Sequence, residues 1–408
     1  MEAILFSPLT IKNKTVPNRF TAQAMEGNDG GGGRPSERTL DRYRNLARGG
    51  WGLVISEALS VSETSLARVN GLILNRKNLD GFKRLVEIFK RENPQGLLLF
   101  QLTHSGERSG AFSERVSLGG GEGRILSNGE IEGIKDSFIT TALLAEEAGA
   151  DGIDFKMCHG YLGAEMLRPA NIRGDKWGGS FENRSRLLRE GLGAIKQGRR
   201  SENFILGSRL SMYEGIRGGC GTGGPDELIE DLGEMLDVVR LMDDLGMDYV
   251  NVSAGIPALT GAITRPTEPS KYLAYHHLRY TKTVKNLITR ENRGLKVIGS
   301  AYSSYKAEAP AMMGEMLGKG YTDLCGFGRQ IFADPLTPKK YRNGEAVNWC
   351  VLCSGCSRLM AAQLNDGCVV YNDYYKRVMK NSRTTPSAPP SLESLAPSAP
   401  LPPSAALP

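Results

Sequence analysis

The chain is 408 residues long, with 40% apolar residues, 24% charged residues and a formal charge of +6 from 51 basic and 45 acidic side chains. That size suits a globular protein with a full core, and glycine, at 50 residues, shows no strict every-third-residue period, which excludes a collagen-like chain. The mild, scattered positive charge gives no reason to expect nucleic acid, and no apolar run approaches the roughly 18 residues of a membrane span. The opening MEAILFSPLTIKNK lacks the basic and apolar segments of a secretory leader, so none is expected. Eight short apolar runs then recur in chain order, at residues 19–25, 52–58, 96–102, 152–157, 205–210, 249–254, 296–300 and 324–328. Continuous apolar runs read as strands covered on both faces, as in a parallel sheet. Helical segments fall between them. Residues 136–149 (DSFITTALLAEEAG) carry apolar side chains at helical spacing and stop at Gly149, and residues 226–246 start with an acidic turn after Pro225 and stop at Gly246.

Eight strand–helix units predict a (β/α)8 barrel over residues 1–345. A doubly wound sheet is the alternative, but it would need a phosphate-binding glycine loop at the first strand–helix turn, and none is there. The GCGTGG at 219–224 does not directly follow a strand and reads as a flexible loop. Residues 346–381 form a Cys-containing extension. The segment from 382 to 408 is Pro, Ser and Ala rich with almost no charge, and is expected to be disordered.

In such a barrel the active site lies at the C-terminal ends of the strands. Lys156, His159 and Tyr161 cluster at the fourth strand end, where they can converge on one ligand. Gly299, Ser300, Gly328 and Arg329 at the seventh and eighth ends suit a phosphate held by backbone N–H groups and a guanidinium.

Five ordered segments carry a family resemblance across residues 5–335: LFSPLTIKNKTVPNRF, PSERTLDRYRNLARGGWGLVISEA, QLTHSGER, AGADGIDFKMCHGYLGAEMLRPANIRGDKWGGSFENRSR and GRQIFADP. Together they resemble the Old Yellow Enzyme family, the NADH:flavin oxidoreductases. The resemblance implies an FMN-binding barrel whose flavin takes hydride from NADH or NADPH and passes it on, often to an activated C=C bond. It implies that Met25 and Ala58 line the flavin and that Gln101 bonds its pyrimidine edge. Arg209 is expected near N1 and O2, and Gly299, Ser300, Gly328 and Arg329 at the phosphate. His159 falls on the second position of the substrate-anchoring pair, and Tyr161 on the tyrosine that protonates the substrate carbon. The first anchoring position departs from the family pattern of His: it is Lys156, a cationic donor that can polarise a carbonyl or bind a carboxylate.

Other readings of single residues stay open at this stage. His104 can be a packed strand-end histidine, Arg209 the partner of an acidic loop residue, and Tyr161 a core tyrosine with a satisfied hydroxyl. Lys156 could serve a Schiff-base aldolase, which leaves Gln101 and the phosphate grip unexplained. A barrel that binds FMN or a phosphorylated ligand without turnover is a further alternative. His276 and His277, adjacent on a helix, do not share a face and are expected to be unrelated to catalysis.

The seven cysteines include a cluster, Cys350, Cys353, Cys356 and Cys368, spaced as C-x2-C-x2-C-x11-C. Such spacing can hold a 4Fe-4S cluster or zinc, or leave free thiols, and it suits a reducing, cytoplasmic compartment more than a disulfide framework. Some longer relatives in the family carry a cluster just after the barrel, with one more residue between the second and third cysteine. The partners expected are a small-molecule substrate and neither nucleic acid nor membrane, with a homo-oligomer left open.

Overall fold

The computed structural model describes residues 2–119 and 121–382. All eight predicted strands are present: β1 (Phe20–Ala22), β2 (Leu53–Ser60), β3 (Leu97–Thr103), β4 (Gly152–Met157), β5 (Ile205–Ser211), β6 (Tyr249–Ser253), β7 (Lys296–Gly299) and β8 (Leu324–Phe327). They pair in parallel in chain order, and β8 closes on β1 to complete the barrel. The intervening helices are α1 (Glu37–Arg48), α2 (Leu79–Glu92), α3 (Asn128–Glu147), α4 (Arg186–Gly198), α5 (Gly233–Asp244), α6 (Ala274–Arg290), α7 (Ala309–Gly318) and α8 (Thr337–Arg342). The strands read as continuous apolar runs because one set of side chains fills the barrel and the other packs under the helices. A hairpin of Leu9–Ile11 and Lys14–Val16 plugs the N-terminal end, where Ile11 and Val16 pack with Ile55, Leu99, Ile205 and Tyr249. The C-terminal end is left for ligands.

Two helix boundaries differ from the expected ones. α3 begins eight residues before position 136, because Ser127 and Glu130 form a reciprocal capping box: Ser127 Oγ accepts from the Glu130 N–H, and Glu130 accepts from the Ser127 N–H at 2.8 Å. α5 begins at Gly233, not at residue 226. The acidic residues before it serve a loop instead: Thr222 bridges Glu230, the Asp231 N–H donates to Gly221 O at 2.7 Å, and Glu230 pairs with Arg279. The GCGTGG segment lies in this loop. A Cβ on Gly221 would stand 2.1 Å from Met212 O, so its glycine serves backbone packing.

The extension carries α9 (Gly355–Ala361) and α10 (Asp373–Ser382). It folds back onto the loops after β1 and β2. The Asp366 N–H donates to Gly27 O at 2.7 Å, Asn28 Nδ2 to Leu364 O at 2.9 Å, and Gln363 Nε2 to Ala67 O at 3.2 Å. The tail expected to be disordered lies, from residue 383 onward, outside the described residues. Among the described residues no helix is long and apolar enough to cross a membrane.

Candidate functional site

A cleft of about 860 Å³ opens at the C-terminal end of the barrel. Its wall takes Met25 from beyond β1, Ala58 from β2, Gln101 from β3 and Arg209 from β5. Lys156, His159 and Tyr161 enter from β4 and the turn after it, Ser300 from beyond β7, and Gly328 and Arg329 from beyond β8. Ten of the eleven residues expected at the barrel site therefore meet on one wall. Gly299 sits just below it, where a Cβ would press within 3.0 Å of Thr281. A bulge in β2 aims Ala58 inward: between Ile55 and Ala58 the register against β3 slips by one residue.

The wall is polar in a directed way. Gln101 Nε2 donates to Asp154 Oδ1 at 2.9 Å, which turns its carbonyl oxygen into the free end. Arg209 Nη2 donates to Ser253 Oγ at 3.2 Å, and that oxygen lies 2.7 Å from His159 Nε2. Burial, then Arg209 and Lys156, push His159 well below its ordinary pKa, so the ring is neutral. A guanidinium can only donate, so the buried Ser253 hydroxyl accepts from Arg209 and shares a second hydrogen bond with His159 Nε2. His159 and Ala301 hold left-handed backbone (φ 64° and 74°), a cost that persists only where the surroundings enforce it.

Lys156 is buried, makes no ion pair among the described residues, and stands 3.3 Å from the centre of the Tyr161 ring. The Tyr161 hydroxyl donates to Glu26 Oε1 at 3.4 Å, and Glu26 Oε2 lies 2.7 Å from Arg68 Nε. Burial would raise the Glu26 carboxyl, but Arg68 and Lys156 outweigh it and hold the group below its usual range. His104 is a packed histidine, its pKa drawn to about 4 by burial, and Cys158 is a buried thiol pushed up to about 12 by the same cause.

Several wall residues were not foreseen. Glu26, directly after β1, had a signal in its place at a strand end. Arg68 and Arg265 come from loops and Met360 from α9, with no local pattern to mark them. His277, expected to be unrelated to catalysis, lines the cleft. Adjacent histidines on α6 do point apart, and His277 is the one that points in. Its Nε2 donates to Ile263 O at 2.8 Å, so Nδ1 is a bare acceptor, buried and without a partner. Arg209 Nε and Arg329 Nη1 are likewise buried without partners. Buried orphan donors are costly unless a ligand satisfies them, and two guanidinium donors and a free amide carbonyl fit a flavin mononucleotide's acceptors and its N–H edge.

The four clustered cysteines lie in the extension. Cys350, Cys356 and Cys368 are all raised, first by burial, and neighbouring thiols of the cluster act on each of them. Among the described residues, however, no group of three or more His, Cys, Asp or Glu side chains is placed to hold a metal ion.

Comparison with known proteins adds the following. Residues 4–348 match the NADH:flavin oxidoreductase / NADH oxidase family. An NADPH dehydrogenase of Clostridium acetobutylicum is 30% identical over 343 residues, covering 81% of this chain and 92% of that protein. An NADH oxidase of Thermoanaerobacter brockii is 28% identical over 372 residues, covering 86% of this chain and 53% of its own length, so the chain spans about half of that relative. Among solved structures, a 2-naphthoyl-CoA reductase complex superposes with a TM-score of 0.78 at 22% identity, over 93% of this chain and 58% of that one, a likeness of fold.

Proposed function

Since the chain belongs to the NADH:flavin oxidoreductase / NADH oxidase family, a family of FMN-dependent oxidoreductases, we propose that this cleft binds FMN, takes hydride from NADH or NADPH, and delivers it to an electron-poor acceptor such as an activated C=C bond. The observation that carries the reading is the meeting of Met25, Ala58, Gln101, Arg209, Ser300 and Arg329 with Lys156, His159 and Tyr161 around one cleft. Bound FMN would supply reversible two-electron hydride transfer. The chain's own residues do the rest. Arg209 sets a fixed positive charge where the reduced ring gains negative charge, and Arg329 offers an unspent donor to the phosphate. Lys156 and His159 hold and polarise the acceptor's oxygen. The Tyr161 hydroxyl is placed to give a proton to the acceptor's carbon, and Glu26 fixes that hydroxyl.

Steady-state consumption of NADH and NADPH by the FMN-loaded protein, with and without 2-cyclohexenone and free of oxygen, tests this. Enone-dependent consumption is the expected result. Flavin loading without consumption would leave a binding barrel, and a borohydride-trapped imine at Lys156 would mark an aldolase. We further propose a barrel over 1–345, an extension over 346–381 carrying a 4Fe-4S cluster on Cys350, Cys353, Cys356 and Cys368, and a cytoplasmic site of action. The spacing of the four cysteines supports the cluster, although no three of them are placed together here, and iron, sulfide and zinc analysis of anaerobically purified protein separates cluster, zinc and free thiols.

A further inference from the structure

Behind the cleft lies a second cavity of about 290 Å³, and Glu26 and Arg68 line both. Its deep wall is polar: Glu57, Ser60 and Thr103 are buried there, and the Thr103 hydroxyl has no partner among the described residues. A buried hydroxyl in a polar cavity of this size is satisfied by water. The half-buried Leu66 and Gly71 border both the cavity and the surface. The two carboxyls on this cavity stand in opposite states. Arg68, Lys156 and Arg265 outweigh burial and hold Glu26 ionised. Glu57 instead competes for one guanidinium. Arg42 gives Asp29 two bonds, Nε to Oδ2 at 3.1 Å and Nη2 to Oδ1 at 2.9 Å, and the Thr39 hydroxyl adds a third. Glu57 Oε1 shares that same Nη2, and Glu57 Oε2 accepts from the Gly27 N–H at 3.1 Å. Asp29 and Glu57 are both buried, so one cation does not support two negative charges side by side. Burial is the largest influence on Glu57; Arg42 opposes it, Asp29 reinforces it, and the carboxyl rises to about 7. The other neighbours do not alter this. The Tyr43 hydroxyl, which accepts from the Glu57 N–H, is pushed up by burial and stays neutral, and Arg68 is paired with Glu26.

We propose that this cavity is the path by which Tyr161 regains its proton between turnovers, with Glu57 storing the proton and Glu26 passing it on. The inference rests on the reading of Tyr161 as the proton donor. When Tyr161 protonates the acceptor's carbon, its O–H bond breaks and a phenolate is left 3.4 Å from Glu26 Oε1. Cavity water takes the proton of the Glu57 carboxyl and gives one to the Glu26 carboxylate. The Glu26 O–H bond then breaks as the Tyr161 O–H bond re-forms. A phenol's ordinary pKa of about 10 lies well above a carboxyl's, so this last transfer runs downhill. Solvent entering past Leu66 and Gly71 returns a proton to Glu57. One proton enters for each one delivered to carbon, and no electrons move. Glu26 does not serve as the store, because its three cations keep it ionised.

The test compares first and repeated turnover of the FMN-loaded protein with NAD(P)H and 2-cyclohexenone, free of oxygen. Tyr161 starts protonated, so the first reoxidation after rapid mixing draws nothing from the store, whereas steady turnover does. In the unsubstituted protein steady turnover should hold up to about pH 7 and fall above it as Glu57 gives up its proton, while the first reoxidation stays level over the same range. Coinciding profiles overturn the proposal without needing any variant to fold. Glu57→Gln keeps the side chain's size and carries no acidic proton. It should slow steady turnover by about ten-fold or more, a part of the ~10²–10⁴-fold worth of a positioned acid, and leave the first reoxidation within about two-fold. Glu57→Asp should restore turnover. Equal slowing of both phases by Glu57→Gln overturns the proposal, because Glu57 is then a brace for Arg42 and Gly27. Difference infrared spectra of the FMN-loaded protein between about pH 6 and about pH 8, either side of a carboxyl held near 7, give a readout apart from turnover. A protonated-carboxyl band lost on raising the pH should be missing from Glu57→Gln, and spectra that match the parent's overturn the proposal. First reoxidation at the parent rate in Tyr161→Phe defeats the underlying reading. A slowed first reoxidation in that variant, with steady turnover unaffected in Glu57→Gln, defeats the relay alone.

Discussion

Replacing Tyr161 with Phe separates chemistry from packing at this site. The ring is buried and lies 3.3 Å beneath Lys156 Nζ, and both features survive the change. Only the hydroxyl is lost, with its single 3.4 Å bond to Glu26. A bond at the outer edge of the hydrogen-bonding range should cost less than about 1 kcal/mol of stability. The kinetic loss should be much larger, because a positioned general acid is worth about 10²–10⁴-fold, or about 2.7–5.5 kcal/mol of barrier. Rapid mixing reads the two half-reactions apart. Reduction by NAD(P)H should be nearly unchanged, reoxidation by an enone should slow by a factor in that range, and reoxidation by oxygen, which needs no proton on carbon, should survive. Reoxidation by the enone at the parent rate would refute the role. Equal slowing of both half-reactions would refute it as well, making Tyr161 a structural or nicotinamide-binding residue.

Arg209→Met should lower the flavin potential and slow reduction by NAD(P)H; an unchanged potential in the FMN-loaded variant would count against the charge placed at the ring. Ser253→Ala removes the hydroxyl that holds the His159 ring in place, so a phenol-type charge-transfer ligand should bind about ten-fold more weakly, the worth of one hydrogen bond, with FMN affinity kept. Equal losses for both ligands would show a merely structural serine. Burial holds His104 and His277 at about 4, below the ordinary 6.5, so between those values the unfolded chain binds protons the folded chain refuses. Stability should therefore be complete above about pH 6.5 and fall on acidification, by on the order of 3 kcal/mol per histidine. Urea midpoints at pH 7 and pH 5 read this, and His277→Phe should flatten the slope.

The barrel was legible because β2, β3 and β4 are buried on both faces and so are short, largely apolar runs, a pattern that needs no knowledge of the rest of the chain. Lys156, His159 and Tyr161 were legible for a related reason: they are close in sequence, and a strand end delivers them together. The start of α5 was not legible, since the acidic run that resembles a helix's first turn is claimed by Gly221 and Arg279 from elsewhere in the chain. Nor were Arg68, Arg265, His277 and Met360. They reach the cleft from two loops, a helix and the extension, and only the closed barrel and the folding back of residues 363–366 onto the loops after β1 and β2 bring them to one wall.

The central claim is that hydride passes through a flavin held in this cleft, and an oxygen-free single turnover tests it most directly. Protein loaded with FMN should lose its visible flavin absorbance on addition of one equivalent of NADH or NADPH and regain it on addition of an activated alkene, with one saturated product formed per flavin. A protein that takes up no FMN, or whose bound flavin neither nicotinamide can bleach, would contradict the account.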